Sequence, residues 1–205
     1  MSQQKTLLRK IHWRKSMRVG FFVTCLVDAM RPRIGFAAIK LLEAVGCEVV
    51  VPEQQTCCGQ PGYNSGGRKS AEAMARKFLA EFEAFDYVVL PSGSCAGMIR
   101  LHYPDLFKDD PALLARITAL GQRTYELTDF LVKIAKLEQV PGNFNGTLTY
   151  HDSCSGLREL DVYKQPRALL AKMPGVTINE MVESTTCCGF GGTFSVKYCE
   201  LSTRM

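Results

Sequence analysis

Two pairs of adjacent cysteines are the residues of this chain best suited to chemistry. The first pair lies in QTCCGQPGYNSG, residues 55–66, and the second lies in TTCCGFGGTFS, residues 185–195. One constant offset along the chain relates four residues of the first stretch to four of the second: Cys57 and Cys187, Cys58 and Cys188, Gly59 and Gly189, Gly62 and Gly192. A free cysteine is usually a small buried apolar residue, but two pairs in register indicate a common chemical purpose.

Further cysteines fall at matching places around both pairs. Cys25 precedes the first pair and Cys154 precedes the second by nearly equal intervals, and Cys95 follows the first pair. Seven cysteines are therefore candidate metal or cluster ligands: Cys25, Cys57, Cys58 and Cys95 in the first copy, and Cys154, Cys187 and Cys188 in the second. Cys47 begins an apolar run and is interpreted as a core residue, and Cys199 receives no role.

Thiolates in such sets bind zinc or an iron–sulfur cluster. Zinc sites usually show two C-x2–4-C knuckles, which this sequence lacks. Adjacent cysteines favour a larger cluster, because neighbouring thiolates can reach different iron atoms. Gly59 and Gly62 allow the backbone to pass close to such a group without side-chain obstruction. An iron–sulfur cluster, of the 4Fe–4S type, is therefore the predicted cofactor, with zinc as the alternative occupant.

Other residues with chemical potential give weaker signals. His151 and Asp152 could relay protons or orient a ligand, although a single His-Asp pair near a strand end is more often a structural hydrogen bond. Arg158 could attract an anionic substrate, but arginines on helices usually lie at the surface, and His102 shows no partner in the sequence. GFGGTF, residues 189–194, is not the G-x-G-x-x-G motif of nicotinamide binding. We therefore do not expect the chain to oxidise a substrate alone.

The elements that position these residues can be predicted from hydrophobic periodicity. Short β-branched and apolar runs predict strands at residues 17–24, 47–52, 86–91 and 123–127. Between them, apolar residues at helical spacing predict helices over residues 33–46, 67–85 and 111–120. Thr128 or Asp129 is predicted to cap a further helix over DFLVKIAKL. Strands that alternate with helices indicate an α/β fold, with a parallel sheet covered by helices.

In a parallel sheet, ligands gather at the edge where the strands have their carboxyl ends. Cys25 follows the first predicted strand, Cys57 and Cys58 follow the second, and Cys95 follows the third. We therefore expect three loops to bring four thiols together at this edge.

The second copy predicts a second, similar α/β half. PGNFNG, residues 141–146, is the best linker candidate, and TLTYHDS and VTINEMVEST beyond it are predicted strands around a helix near YKQPRALLAKM. The predicted organisation is a basic extension over residues 1–16, a first half over residues 17–140 and a second half over residues 146–205. The second half ends before any counterpart of Cys95. We therefore expect it to be incomplete, to hold no tight cluster of its own and to self-associate through uncovered apolar residues: Phe190, Phe194 and Val196.

The net charge of +5 over 205 residues is concentrated at one end of the chain. Six basic residues precede the first acidic residue, Asp28: Lys5, Arg9, Lys10, Arg14, Lys15 and Arg18. A nucleic-acid-binding domain spreads its basic residues over the folded surface, so nucleic acid is not an expected partner. No stretch approaches the ~20 apolar residues of a membrane span. With no export signal visible, we expect a cytoplasmic protein with reduced thiols.

Five stretches agree, in order, with a known pattern: FFVTCLVDAMRP, VPEQQTCCGQPGYNSG, PSGSCAGMIR, YHDSCSGLREL and CCGFGGTFSVKY. They resemble the cysteine-rich CCG domain family, whose domain occurs twice in one of the subunits of heterodisulfide reductase and in the iron–sulfur subunits of glycolate oxidase. They are most similar to its lactate-utilisation branch, from about Met17 to the end of the chain. The resemblance implies an iron–sulfur electron-transfer subunit of an NAD-independent complex. That complex oxidises L-lactate, or another 2-hydroxy acid, to pyruvate, and its other subunits are the implied partners.

Two departures from the family pattern limit what the resemblance implies. The full pattern closes with C-x-x-C, and Ser92 stands at the first of these positions, where a hydroxyl is a poor substitute for a soft thiolate at iron. A four-cysteine site is therefore implied instead of the five-cysteine cluster of heterodisulfide reductase. The second departure is the early end of the second copy, which leaves it three thiols. Thiol–disulfide reduction of the heterodisulfide reductase kind and a zinc-stabilised, non-catalytic scaffold remain as alternatives.

Overall fold

The computed structural model describes residues 16–205. The basic extension predicted over residues 1–16 lies outside them, apart from Ser16. The strands form two sheets, and every strand pair in them is parallel. The larger sheet has the order β2-β1-β3-β4, and its strands are β1 (Arg18–Phe21), β2 (Glu48–Val50), β3 (Tyr87–Leu90) and β4 (Thr124–Glu126). The smaller sheet pairs β5 (Gly146–Leu148) with β6 (Val176–Ile178). The predicted α/β class, with two parallel-sheet halves, is confirmed.

Helices connect the strands in both halves. Those of the first half are α1 (Cys25–Met30), α2 (Pro32–Ala44), α3 (Gln60–Asn64), α4 (Arg68–Phe82), α5 (Gly93–Gly97), α6 (Tyr103–Leu106), α7 (Pro111–Gln122) and α8 (Leu127–Lys133), with a π-helical turn, Met98–His102, between α5 and α6. Those of the second half are α9 (Cys154–Leu160), α10 (Lys164–Ala171), α11 (Thr193–Lys197) and α12 (Cys199–Arg204). In the part of the chain that the structure describes, no helix is long and apolar enough to cross a membrane.

The larger sheet is buried on both faces, as parallel sheets require. On one face, α4 presents a buried stripe at helical spacing, and Phe22 packs edge-on against Phe78 and Phe82 with ring centroids 5.2 and 5.7 Å apart. On the other face, Leu42 of α2 and Phe130 of α8 lie in a second buried cluster, which also holds Cys47. Cys47 is thus a core residue, as predicted. The two layers fix the sheet and, with it, the loops at its carboxyl edge.

The predicted cap of α8 is wrong. Thr128 and Asp129 both lie inside the helix, and the capping side chain belongs to Glu126, the last residue of β4. Its Oε2 accepts hydrogen bonds from the backbone N–H groups of Thr128 at 2.8 Å and Asp129 at 3.1 Å. Asp129 is instead buried between the halves, where Gln165 and Lys133 donate to it. The strand runs directly into the helix, so the longer carboxylate takes the role of the usual Asp or Thr cap.

Candidate metal centre

The predicted thiols of the first half all follow strands of the larger sheet. Cys25 opens α1 after β1, Cys57 and Cys58 lie between β2 and α3, and Cys95 lies in α5 after β3. The Sγ atoms of Cys25 and Cys57 are 3.8 Å apart, and those of Cys58 and Cys95 are 3.4 Å apart. The structure therefore brings these four cysteines together at the carboxyl edge. Their role as ligands stays a prediction.

Access to this edge differs sharply among the four thiols. Cys25 is exposed, Cys57 is half-buried, and Cys58 and Cys95 are buried. Cys58 is enclosed further by Tyr103, whose hydroxyl donates to the Cys58 carbonyl at 2.8 Å. The site is therefore open to solvent on the side of Cys25 and closed on the side of the core.

Hydrogen bonds among the thiols divide them into donors and acceptors. The pKa of Cys57 falls to about 5, because it accepts from the Cys58 thiol and from backbone N–H groups that include that of Gly59. The Cys58 thiol also donates to Cys95 and lowers the pKa of that cysteine. Burial and the neighbouring charge of Cys57 raise the pKa of Cys25 to about 11, and donation to Cys57 and Cys95 raises the pKa of Cys58. Thiolates are the metal-binding form of cysteine, and here Cys57 and Cys95 are the thiols set up to ionise.

The loops that carry the thiols are held by residues that the sequence did not single out. Gln55 joins the end of β1 to the loop after β2: its Oε1 accepts from Val23 N at 2.8 Å, and its Nε2 donates to the Pro52 carbonyl at 3.0 Å. Thr24, directly before Cys25, is buried with φ 73° and ψ 141°, a region that side chains rarely adopt. For Gln55, only its position at the start of the first CCG stretch could have indicated a supporting role. No sequence pattern indicates a role for Thr24.

Ser92 acts as a helix cap. Its Oγ accepts from the backbone N–H of Cys95 at 3.4 Å and lies 3.3 Å from Ser94 Oγ. The hydroxyl at this position therefore fixes the start of α5 and the direction of Cys95. It has a structural use that needs no metal.

The second thiol set is less enclosed. Cys154 opens α9, and both burial and the neighbouring Cys187 thiol raise its pKa. Cys187 is half-buried and Cys188 is exposed. Cys199 is exposed on α12. The structure thus places Cys154 near Cys187, and Cys188 follows Cys187 in the chain.

A buried ion pair fixes the loop before Cys154. Asp152 is fully buried, and its two carboxylate oxygens accept from Nη1 and Nη2 of Arg167, each at 2.8 Å. Arg167 also pairs with Glu180 and lies over the ring of Tyr163, 4.2 Å from its centroid. Hydrogen bonds to two carboxylates raise the pKa of Arg167, so it stays charged. Asp152 is therefore a structural anchor, and Arg167 is a supporting residue that the sequence did not reveal.

His151 and Arg158 have simple surroundings. The His151 Nε2 lies 2.7 Å from the carbonyl of Thr186, directly before Cys187. It therefore ties the two thiol loops of the second half together, which agrees with the structural interpretation. Arg158 is exposed on α9.

The halves meet where α5 packs on α9. The contact is close because it is made by glycines: a Cβ built on Gly93 would lie 2.8 Å from the Cα and the N of Gly156. Beyond it, His102 Nε2 lies 3.2 Å from Glu159 Oε1, a partner that the sequence did not show. The partner lies in the other half of the chain, where no local pattern could show it. The helices that carry Cys95 and Cys154 are thus held against each other.

The donor chemistry of the first set fits a thiolate-bound metal or cluster. A tetrahedral zinc site, with Zn–S bonds of about 2.3 Å, would place its sulfurs about 3.8 Å apart, close to the separations within the two pairs. Nevertheless, no group of three or more Cys, His, Asp or Glu side chains within residues 16–205 is arranged around a single metal position. The geometry is that of two neighbouring thiol pairs, and the type of group that they bind is a matter for proposal.

The class of this protein follows from its parallel sheet, the thiols at the strand ends and the glycine-rich CCG loops: together they define a protein of the cysteine-rich domain class. The family model described as CCG, Cysteine-rich domain, matches residues 19–100 and 148–205. The two matched ranges contain the two thiol sets, Cys25 to Cys95 and Cys154 to Cys188.

The chain belongs to this CCG family, and within it resembles proteins named Lactate utilization protein A. Relatives of that name from Bacillus cytotoxicus, Bacillus licheniformis and Bacillus subtilis strain 168 are each 46% identical to it over 189 residues. The aligned region covers 92% of this chain and 79% of each relative.

Proposed function

We propose that the chain is an iron–sulfur electron-transfer subunit of an NAD-independent complex that oxidises L-lactate, or a related 2-hydroxy acid, to pyruvate. The observation that carries this proposal is the meeting of four thiols from three strand ends at one edge of the sheet. The name of the relatives, Lactate utilization protein A, supports the choice of substrate. The other subunits of the complex are the proposed partners.

The ligands proposed for the first site are Cys25, Cys57, Cys58 and Cys95. A bound 4Fe–4S cluster would supply one-electron transfer, with a potential set by charge, hydrogen bonds and exposure. Cys154, Cys187 and Cys188 are the proposed ligands of the second site. Oxidation of a 2-hydroxy acid to a 2-oxo acid releases two electrons and two protons, so a carrier subunit must accept electrons from one protein and pass them to another.

The protein itself prepares the first site for this use. Backbone N–H groups and the Cys58 thiol stabilise negative charge on Cys57 at neutral pH. Gln55 and Tyr103 hold the two sides of the CCG loop. The exposure of Cys25 provides a short route between the site and a partner at the surface.

A zinc-stabilised scaffold is the second candidate. It is favoured by the sulfur separations of 3.4 and 3.8 Å, which are close to those around a single tetrahedral metal ion. In this case the CCG loops would stabilise the fold and carry no electrons.

Metal analysis of the full chain, purified without oxygen, separates the two candidates. We expect about four iron and four sulfide per chain and a brown colour for an occupied first site. Cys58→Ala and Cys95→Ala should each abolish iron binding, whereas Cys199→Ala, at an exposed position outside both sets, should leave it unchanged. Stoichiometric zinc without iron, or reconstitution with iron and sulfide that yields no visible absorbance, would overturn the electron-transfer proposal.

The substrate needs a separate measurement. With the remaining subunits of the complex present, L-lactate should bleach the visible absorbance of the iron-loaded chain and pyruvate should accumulate. A chain that holds iron but is not reduced by L-lactate, under conditions where dithionite reduces it, would show that the substrate is wrong although the cluster is right.

A further inference from the structure

The helix that follows Cys25 is apolar and uncovered. α1 has the sequence CLVDAM, and none of its six residues is buried by the described part of the chain. The side chains of Leu26 and Met30, one helical turn apart, are 51% and 66% exposed. Val27 alone packs inward, toward Gly35 of α2. A helix that exposes most of its apolar side chains, directly beside a candidate redox site, is unusual for a monomeric surface.

The same surface continues onto α2. Ile34 is 46% exposed and Phe36 is 65% exposed, whereas Gly35, Ala38 and Leu42 form the buried stripe of this helix. Ile34 and Phe36 are two positions apart and lie on different sides of α2, so we call only Leu26, Met30 and Phe36 the α1–α2 surface. Large aromatic and aliphatic side chains of this kind are the usual anchors of protein interfaces.

Basic side chains outnumber acidic ones from the start of α1 to the end of α2, and two of them flank Phe36. Arg31, Arg33 and Lys40 are exposed, and none of them forms an ion pair within the described residues; the acidic residues from Cys25 to Ala44 are Asp28 and Glu43. Arg33 and Lys40 lie one turn before and one turn after Phe36 on the same helix. A complementary surface would therefore be apolar at its centre and acidic at its rim.

We propose that the α1–α2 surface is the docking site of a redox partner protein that has an apolar face rimmed by Asp and Glu. This inference rests on the proposed electron-transfer function. Cys25 is the exposed member of the four-thiol site and the first residue of α1. A protein bound on this surface therefore stands beside the open side of the site.

Photocrosslinking from this surface tests the proposal in the organism that encodes the chain. The photoreactive residue benzoylphenylalanine replaces Phe36 in the full-length protein, and the same replacement of Phe144, which is 47% exposed in the linker between the halves, is the matched control. Products are identified by mass spectrometry. We expect position 36, and not position 144, to yield a protein that carries its own flavin or metal centre, crosslinked through a peptide rich in Asp and Glu.

Charge reversal makes the test specific. Arg33→Glu combined with Lys40→Glu should lower the yield from position 36 by about fivefold or more. Irradiation of a lysate of the same cells in about 0.5 M salt, where the Debye length is about 4 Å, should also lower it. Lys69→Glu combined with Lys164→Glu, at exposed sites on α4 and α10, should leave the yield unchanged. Circular dichroism of each variant checks that it is folded.

Other outcomes overturn the proposal. Crosslinks to a second copy of the chain, to residues 1–15, or to a protein without a redox group would each assign the α1–α2 surface to a different occupant. So would equal yields from both positions, or a yield that charge reversal does not change. Iron and sulfide are measured in the same preparations, so that a chain with a cluster but no specific crosslink disproves the docking site alone. A chain with a specific crosslink but no cluster disproves the electron-transfer function alone.

Discussion

At the scale of single residues, Gly59 shows why glycine follows the paired cysteines. Its φ of 80° lies in the left-handed region, and a Cβ there would approach Met74 Cβ to 3.1 Å and Ala71 Cα to 3.4 Å. The glycine therefore meets two requirements at once, an unusual backbone conformation and a close approach of the CCG loop to α4.

Gly59→Ala separates these two requirements when it is compared with Gly46→Ala. Gly46 has a similar φ of 83°, but a Cβ at this position would meet no described atom within 4 Å, so alanine there should cost only the conformational penalty, about 1–2 kcal/mol of the free energy of unfolding. Gly59→Ala should cost about 1 kcal/mol more, because α4 must also move. Urea unfolding of the iron-free protein measures both, and equal losses would show that the contact with α4 is unimportant.

The meeting of the candidate thiols could be predicted residue by residue, because it depends only on their order along the chain. Parallel strands place their carboxyl ends at one edge, so Cys25, Cys58 and Cys95 had to meet there once the strands were recognised. Tyr103 and Gln55 could not be predicted in the same way. Their partners are backbone groups 45 and 34 or fewer residues away, and these hydrogen bonds depend on how the elements pack.

At the scale of elements, the junction of β4 and α8 depends on one carboxylate. Glu126 is largely buried, and burial raises its pKa above the ordinary value, although it accepts hydrogen bonds from Thr128 and Asp129. A carboxyl whose pKa is raised by folding stabilises the protein fully below its unfolded pKa. That contribution is lost as the pH rises through the folded pKa.

Glu126→Gln should therefore change how stability depends on pH. The amide oxygen can still accept a hydrogen bond, but no charge has to be buried. The free energy of unfolding of the wild-type protein, relative to that of this variant, should fall as the pH rises from about 4 to 7. Glu126→Ala, which removes the cap, should be less stable than Glu126→Gln by about 1 kcal/mol. Denaturant unfolding at several pH values tests both, and a difference that does not vary with pH would contradict the argument from burial.

The same junction shows that sequence periodicity predicts elements better than it predicts the boundaries between them. The strand over residues 123–127 and the helix after it were both predicted, because each has its own periodicity. The boundary between the strand and the helix was not predicted correctly, because Thr and Asp are the commoner caps. Whether a buried Glu side chain can accept hydrogen bonds from the first N–H groups of the helix depends on the β-strand conformation before it. Helix α4 had no such conflict, and its predicted range of 67–85 encloses the observed Arg68–Phe82.

At the scale of the whole molecule, the glycine contact between α5 and α9 determines how closely the halves approach. Gly93→Ala should push these helices apart, because the new methyl group would meet the backbone of Gly156 at 2.8 Å and not a movable side chain. We expect a loss of about 1–3 kcal/mol in the free energy of unfolding. Gly62→Ala, whose nearest neighbour would lie at 3.6 Å, is the control and should be tolerated. If the two variants are equally stable, the halves are not held by this contact.

The apolar residues near the end of the second half are exposed, as the sequence led us to expect. Phe190 and Val196 are 66% and 81% exposed, and α11 and α12 bury none of their residues in the described chain. We predict that the protein self-associates through them, and that Phe190→Ser with Val196→Ser weakens the association about tenfold or more. Leu101→Ser, at another exposed apolar position, should not. Sedimentation analysis decides, and a wild-type chain that remains monomeric at about 100 μM would contradict the prediction.

The strand order β2-β1-β3-β4 also determines when, during synthesis of the chain, the sheet and the thiol site can be completed. β1 leaves the ribosome first, yet it lies inside the sheet and gains its second neighbour only when β3 has been made. At about 5–20 residues per second, synthesis from Cys25 to Cys95 takes roughly 4–14 s. Throughout that interval the nascent chain holds up to three of the four thiols and lacks the last, so a metal donor that acted early would meet an unfinished site. Cofactor delivery to this protein should therefore follow translation of β3 and α5.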